Sequence, residues 1–350
     1  MRPGRLRELL DRFAALRVGV VGDFFLDSYF DCDPGLSEQS LETGRECYQV
    51  VRTRRLAGAA GTVAANLRAM GVGLVEAVGF CGDDGEGFEL RRALNNLGVS
   101  VDAFLTAAQR VTPTYGKPCF LDRSTVREAE VSEELERIDM KNRRATPVAL
   151  QQELISEIGR GLRDWHGALV IDQVSEPNCG VITTRMRRHL SAQAKKHPET
   201  LFLADSRQRI GEFRNLLIKP NEREAARACG SRQHRSAPAS RRHAVTLSRR
   251  GGRPVFLTRG NEGIIIADGH DIHEAPGIAV KGPLDPVGAG DSASAALVAS
   301  LCAGATLLEA ATVANLVASV TIQQIGTTGT ATKAQIMRRH REALCGRSSR

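Results

Sequence analysis

Residues 285–292 read Asp285-Pro286-Val287-Gly288-Ala289-Gly290-Asp291-Ser292, and a run of small residues follows from 293 to 301. Two glycines and an alanine stand directly before an aspartate, where a helical pattern begins. Such a turn frees backbone N–H groups at a helix N-terminus, where they can hold an anion. A carboxylate beside a bound anion is costly unless it handles a proton there. Amides for developing charge and a carboxylate for an attacking hydroxyl are the parts that phosphoryl transfer needs. A lone Gly-x-Gly-Asp is more often a helix cap after a glycine turn, so the rest of the chain must decide between the two.

Other polar residues fall at the ends of apolar strands. Val18-Gly19-Val20-Val21-Gly22-Asp23 reads as a short buried strand running into a turn, and Asp27 follows it. Asp172 closes a strand over 168–172, Asp205 one over 200–205, and Asn221 follows one over 215–219. Thr258-Arg259-Gly260 closes the strand over 254–258. Helical patterns over 150–163, 183–196 and 221–228 separate these strands. The alternation predicts an α/β fold, a doubly wound and mostly parallel sheet flanked by helices. Such sheets bind ligands at the carboxyl ends of their strands, where these residues lie.

The first 150 residues read differently. Helices are expected over 5–16, 58–70 and 88–97, with a strand over 75–80. Residues 28–57 and 104–135 contain polar, extended stretches that predict a small β-strand lid on a single domain spanning 1–345. Residues 229–243, rich in Ser, Arg, His and Pro, predict a mobile surface loop, and 346–350 a disordered tail. There is no internal repeat.

The composition is that of a globular protein, with 42% hydrophobic and 25% charged residues among 350. Arginine clusters such as Arg52-Thr53-Arg54-Arg55 dominate a net charge of +8. No nucleic-acid-binding motif accompanies them. They read as solvated faces that also attract an anionic substrate or ATP, and nucleic acid is not an expected partner. The eight cysteines form no Cys-x-x-Cys pair, which points to reduced thiols in the cytoplasm rather than zinc or disulfides. The charged N-terminus lacks the apolar core of a signal peptide, and no apolar run approaches a membrane span.

The combined motifs resemble the PfkB, or ribokinase, family of sugar kinases, from about Val18 to about Thr332. Val287-Gly288-Ala289-Gly290-Asp291-Ser292 looks like the family's C-terminal signature. Val78-Gly79-Phe80-Cys81-Gly82-Asp83-Asp84-Gly85-Glu86-Gly87 looks like its N-terminal one. Leu203-Ala204-Asp205-Ser206-Arg207 resembles the central strand, and Ile218-Lys219-Pro220-Asn221-Glu222-Arg223-Glu224-Ala225 the Asn-x-x-Glu motif. Leu257-Thr258-Arg259-Gly260-Asn261-Glu262-Gly263 resembles the nucleotide-side turn. The resemblance implies a ribokinase-like carbohydrate kinase using ATP and Mg²⁺. Asp291 would be the base for the acceptor hydroxyl, with Gly288, Ala289 and Gly290 as the anion hole. Glu224, with Asn221, would organise water around Mg²⁺. Thr258, Gly260 and Gly263 would line the nucleotide side, with Asn315 near the adenine. Asp285 and the turn over 326–330 resemble a monovalent-cation loop that would hold K⁺.

On the acceptor side, Gly22-Asp23-Phe24-Phe25-Leu26-Asp27 resembles the motif whose last Asp grips sugar hydroxyls. Asp23, Asp27, Gly58, Thr62 and Asp172 are the expected substrate contacts, under a lid of a kind that often pairs into a homodimer. The nearest branch is that of the heptose-phosphate kinases, through Gly22-Asp23 with Asp27 and Tyr29, and through Asp205-Ser206-Arg207. The chain departs from the pattern at Thr62, where an Asn is usual, at Gln173-Val174-Ser175-Glu176, and at Pro286 in place of Thr. No nucleotidyltransferase half follows, which implies the kinase step alone. The alternatives are a nucleoside kinase of the same fold and a non-catalytic homologue that binds sugar or nucleotide. A binding module does not need the base, so the intact turn with Asp291 favours an enzyme.

Overall fold

A computed structural model describes residues 1–122, 130–233, 236–326 and 328–348. The N-terminal half runs α1 (Pro3–Arg12), β1 (Arg17–Gly22), β2 (Phe24–Cys32), β3 (Glu38–Gln39), β4 (Glu46–Cys47), β5 (Val50–Ala59) and α2 (Ala60–Ala69). There follow β6 (Leu74–Cys81), α3 (Gly85–Asn96), β7 (Phe104–Thr106), β8 (Thr114–Asp122), β9 (Glu130–Glu134) and β10 (Ile138–Met140). The regular half runs α4 (Val148–Gly161), β11 (Gly167–Asp172), α5 (Thr184–Lys196), β12 (Leu201–Ser206), β13 (Leu217–Ile218), α6 (Glu222–Ala228), α7 (Ala237–Gly251) and β14 (Val255–Thr258). An antiparallel hairpin, β15 (Gly263–Asp268) and β16 (Asp271–Pro276), precedes α8 (Ala289–Cys302), α9 (Leu307–Thr321) and α10 (Lys333–Ser348).

The main sheet has the order β16-β15-β14-β13-β12-β11-β1-β6-β7. It is parallel from β7 to β14, and β15 and β16 add an antiparallel edge. Val20 of β1 pairs with Ala77 on one side and Leu169 on the other. Alternation along each strand divides the core into two layers. Leu169 and Ile171 of β11 face a cluster with α1, α2, α8 and α9, while Ala168 and Val170 face α4, α5 and α7. Residues buried on both faces explain why these strands read as unbroken apolar runs. Helix α8 is buried from Ser292 to Ser300, and its Ala and Ser side chains admit close approach of α2 and α9. The strand order reverses between β1 and β11, so Asp23 and Asp172 lie at the switch point, the expected position for a ligand crevice.

A second sheet, β10-β8-β2-β5 with β9 on β8, stands on the carboxyl edge of the first. It is the expected lid, with two changes. It starts at Phe24 rather than 28 and continues to Ala59, because β2 leaves β1 after one residue. Residues 104–106 instead form β7 and pair with β6 in the main sheet. Residues 123–129 of the expected lid lie outside the described residues. The loop expected over 229–243 is also shorter: α7 begins at Ala237, capped by Ser236 with a proline in its first turn. Ala239, His243, Ala244 and Leu247 form its buried stripe, hidden in the sequence among polar residues. The last helix runs to Ser348, past the expected end at 345, and 349–350 lie outside the described residues. Among the described residues no helix is long and apolar enough to cross a membrane.

Candidate active site

Asp291 lies in the first turn of α8, after Gly288 in the left-handed conformation at φ 78°. Ala289 N–H closes the turn onto Pro286 O at 3.2 Å, so helix geometry leaves the Gly290 and Asp291 amides facing outward. The turn is backed closely: a Cβ on Gly288 would lie 3.5 Å from Thr62 Cγ2 and Thr328, and one on Gly290 would lie 3.5 Å from Lys219 Nζ. Thr62, the residue in place of the usual Asn, thus sits behind the turn at the start of α2.

Lys219 is the cation of this site, and the sequence reading did not single it out. It is buried and reaches Asp205 Oδ2 at 3.0 Å, where Ser294 Oγ also donates at 2.8 Å. Burial pulls its pKa down, but Asp205, Glu224 and Asp291 together hold it above its ordinary value. The carboxylates feel the converse. Burial, then repulsion from Asp205, pushes Asp291 up to about 7 against the pull of Lys219 and Arg207. Burial and Asp205 likewise push Glu224 up to about 7. Several carboxylates facing one lysine leave excess negative charge, and a cation would relieve it.

Glu224 does two things. Its Oε2 accepts the Asn221 N–H at 2.8 Å while Asn221 Oδ1 accepts the Glu224 N–H at 2.9 Å, a reciprocal capping box on α6. Glu224 thus caps its own helix, while the same carboxylate feels the charges of Lys219 and Asp205. Among the described residues no group of three or more His, Cys, Asp or Glu is placed to hold a metal alone. The hard carboxylate oxygens at Glu224 suit Mg²⁺ completed by phosphates and waters.

A cleft of about 630 Å³ opens from Ala289 and Pro286 past Gly260, Asn261 and Gly277 to Asn315 and Ser319. Gly260 is exposed on its rim at φ 55°. Asn315 lines its far end and donates to Ala275 O at 3.0 Å and Pro276 O at 3.1 Å. Thr258 ends β14 beside Asn221, its N–H donating to Pro220 O at 2.9 Å. Gly263 is different: it is buried at φ 97°, and a Cβ there would strike Ala275 O at 2.2 Å. It shapes the hairpin that walls the cleft and does not itself line it. Asp285 uses both oxygens on backbone amides, Val287 N at 3.0 Å and Gly326 N at 3.2 Å. Thr327, within the expected cation loop, lies outside the described residues.

On the lid side, Asp27 is buried beside Lys117, Nζ to Oδ1 at 3.3 Å. Burial raises its pKa, and Lys117, Arg137 and Arg207 oppose the rise. A Cβ on Gly58 would lie 2.4 Å from Asp27 Oδ2, so only glycine leaves room for that carboxylate against β5. Asp27 and Asp291 are close enough for each charge to act on the same cleft: Asp27 contributes to the raised pKa of Asp291, and Arg207 lowers both. Arg137 stacks on Tyr115, 4.1 Å from the ring centroid, and Arg207 also acts on Tyr115. Lys117, Arg137 and Arg207 are cations the sequence reading passed over as site residues. Only the alternation of Tyr115, Lys117 and Cys119 along β8 hinted at a polar face.

Two of the expected substrate contacts have scaffold partners. Asp23 accepts from three backbone amides, Gln173 and Val174 on Oδ2 at 2.9 and 3.0 Å and Val181 on Oδ1 at 2.7 Å. It staples the loop after β11. Asp172 accepts from Ser206 Oγ at 2.7 Å and from Arg209 Nη1 at 3.1 Å. Burial and the neighbouring Asp23 push it up to about 6. Both carboxylates thus anchor the scaffold, and Asp23 also lines a pocket with Phe25, Tyr115 and Gln173.

Residues 168–334 match the family described as pfkB family carbohydrate kinase. The chain is 26% identical over 336 residues to the bifunctional protein HldE of Trichlorobacter lovleyi, covering 95% of this chain and 64% of that protein. It thus spans under two thirds of the length of that relative. Phosphofructokinase-2 of Escherichia coli, solved in complex with substrates and products, superposes with a TM-score of 0.69 at 18% identity over 94% of this chain and 99% of that one. Ribokinase of Arabidopsis thaliana, complexed with ribose and ATP, gives 0.66 at 17% identity over 93% and 98%. These likenesses extend the ribokinase-like fold over nearly the whole chain. Residues 168–334 thus match the pfkB family of carbohydrate kinases, and the chain as a whole takes the ribokinase-like fold.

Proposed function

We propose that this sugar kinase transfers the γ-phosphate of ATP to a hydroxyl of a sugar phosphate of the heptose-phosphate kind, with Asp291 as the base. The observation that carries the reading is the turn before α8: Gly288 is left-handed, Asp291 stands in the first helical turn, and a Cβ on Gly290 would lie 3.5 Å from Lys219 Nζ. ATP lies along the cleft from Asn315 to Ala289. The acceptor lies under the lid, its hydroxyls on Asp27. Arg207, whose charge acts on Asp27 and Tyr115, suits an anionic group on the acceptor, which favours a sugar phosphate over a neutral sugar; Arg137 is held in a fork by Asp139 at 2.6 and 2.9 Å.

Asp291 takes the proton of the acceptor hydroxyl as that oxygen forms its bond to the γ-phosphorus. The bond to the β–γ bridging oxygen breaks, and that oxygen leaves with ADP. The Gly290 and Asp291 amides and Lys219 offset charge on the transferring group. Its pKa near 7 suits Asp291 to accept a proton at neutral pH. Mg²⁺, when bound, would neutralise phosphate charge, held through water by Glu224. Asp285 and residues 326–330 would hold K⁺ beside the turn. The exposed Tyr48, Val50 and Val51 of the lid support pairing with a second copy.

The test is ATP turnover by the purified chain with Mg²⁺ and K⁺ across sugars, sugar phosphates and nucleosides. A sugar phosphate should be preferred, and Asp291→Asn should lower kcat about 10³-fold or more with folding intact. Near-normal turnover by that variant sinks the base assignment. Preference for a neutral sugar or a nucleoside sinks the acceptor assignment.

A further inference from the structure

One face of the lid carries a continuous polar row. Tyr29 of β2 pairs with Arg54 of β5 and with Lys117 of β8, and Asp31 pairs with Arg52 and Cys119. Asp31 is fully buried. It accepts from Arg52 Nε at 2.6 Å and from Arg54 through Nε and Nη2, both at 2.9 Å. A fork held in two bonds by a buried carboxylate has a fixed plane. Arg54 lies over the Tyr29 ring, 4.3 Å from its centroid. Its remaining nitrogen, Nη1, leaves the lid and donates to Gly326 O at 3.3 Å.

Gly326 leads directly to the phosphate turn. Its N–H donates to Asp285 Oδ2, and Asp285 Oδ1 accepts from Val287, the residue before Gly288. In the other direction the row reaches the acceptor carboxylate: Lys117 Nζ donates to Tyr29 Oη at 3.0 Å and pairs with Asp27. A chain of direct contacts therefore runs Asp27, Lys117, Tyr29, Arg54, Gly326, Asp285, Val287. Arg54 is the member that crosses between the lid and the main body.

We propose that Arg54 is a positioning residue that couples seating of the lid to the geometry of the turn at 287–290. The proposal rests on the sugar-kinase reading given above. Acceptor on Asp27 seats the lid, Asp31 holds the Arg54 guanidinium rigid, and Arg54 fixes Gly326 and through it Val287. The amides of the turn then reach their productive placement only beneath a seated lid. That ordering disfavours transfer of phosphate to water, because ATP alone does not complete the turn.

Arg54→Lys tests this. It keeps a positive charge beside Asp31, but a single ammonium cannot hold Asp31 and Gly326 together. Hydrogen exchange of the unliganded protein reads the coupling without any acceptor. The Gly326 and Val287 amides should exchange about fivefold faster or more in the variant, with the Leu297 amide in mid-α8 unchanged. In turnover, kcat should fall about tenfold while the KM for ATP holds. The fall should not multiply with that of Asp285→Asn, since the two residues act in one chain. Unchanged exchange at 287 and 326 overturns the proposal. So does an unchanged kcat with a lower thermal midpoint, the signature of a merely structural Asp31 pair. Absence of turnover with every acceptor defeats the sugar-kinase reading, while the exchange measurement still decides the coupling.

Discussion

Lys117 Nζ lies 3.3 Å from Asp27 Oδ1, both side chains about nine-tenths buried, so the lid sheet is organised around a buried ion pair, on the side proposed for the acceptor. Burial alone would pull Lys117 down, yet Asp27 and Tyr29 hold its pKa above the ordinary value. Lys117→Met removes the partner and leaves Asp27 a buried carboxyl whose pKa climbs further. A neutral Asp27 is a poorer acceptor for sugar hydroxyls. We expect the KM for the acceptor to rise about tenfold or more, the KM for ATP to hold, and stability to fall by about 3 kcal/mol. Steady-state kinetics and urea unfolding check this. An acceptor KM that does not move would remove Asp27 from the acceptor site.

Activity and stability should depend on pH in opposite senses. As the proposed base Asp291 would act only when ionised, and burial with Asp205 holds its pKa up to about 7. The kcat/KM for the acceptor should therefore rise with pH through about 7 and level off above it. Glu224, also near 7, shares the transition, so the apparent value belongs to the pair. For stability, both groups bind their protons more tightly folded than unfolded. Their contribution is complete below the ordinary carboxylate range and is lost as pH rises through about 7. Asp291→Asn should accordingly stabilise the fold at pH 8 by about 1 kcal/mol, and the gain should vanish only below about pH 4. Urea unfolding at the two pH values measures it, and a variant less stable than the parent at pH 8 contradicts it.

Asp23 and Asp27 should fail in different ways. Asp23→Ala strands three buried amides of the loop at 173–181 and should cost about 3 kcal/mol or more, while turnover per folded molecule is largely kept. Asp27→Ala should lose turnover and also cost about 3 kcal/mol, because it leaves Lys117 a buried charge without its carboxylate. Unfolding curves paired with activity on the same preparations separate the two. Equal losses of turnover in both would erase the distinction drawn from their partners.

Much of this was legible locally. The left-handed Gly288 before α8, the capping box from Asn221 to Glu224, and the alternation of strand and helix after residue 150 depend on neighbours within a few positions. Composition and spacing therefore carry them. The lid was legible as extended polar chain, though its start was not, since nothing local marks where β2 leaves the main sheet. The helix at 237–251 was missed because its buried stripe is built from Ala239, His243 and Ala244, which look polar or neutral until Leu247.

The sequence by itself determined the fold class, the glycine turn before α8 and the order of the motifs, because each rests on backbone conformations that adjacent residues impose. Only the tertiary structure decided which carboxylates are free to act. Asp23 and Asp27 are the same residue type four positions apart, and their roles diverge through partners far along the chain, amides at 173–181 for one and Lys117 for the other. The same holds for Lys219, whose value lies in the three carboxylates gathered around it, and for Arg54, which meets Gly326 across 272 residues. Burial and charge pairing are set by what folding brings together, and distance along the chain does not encode that.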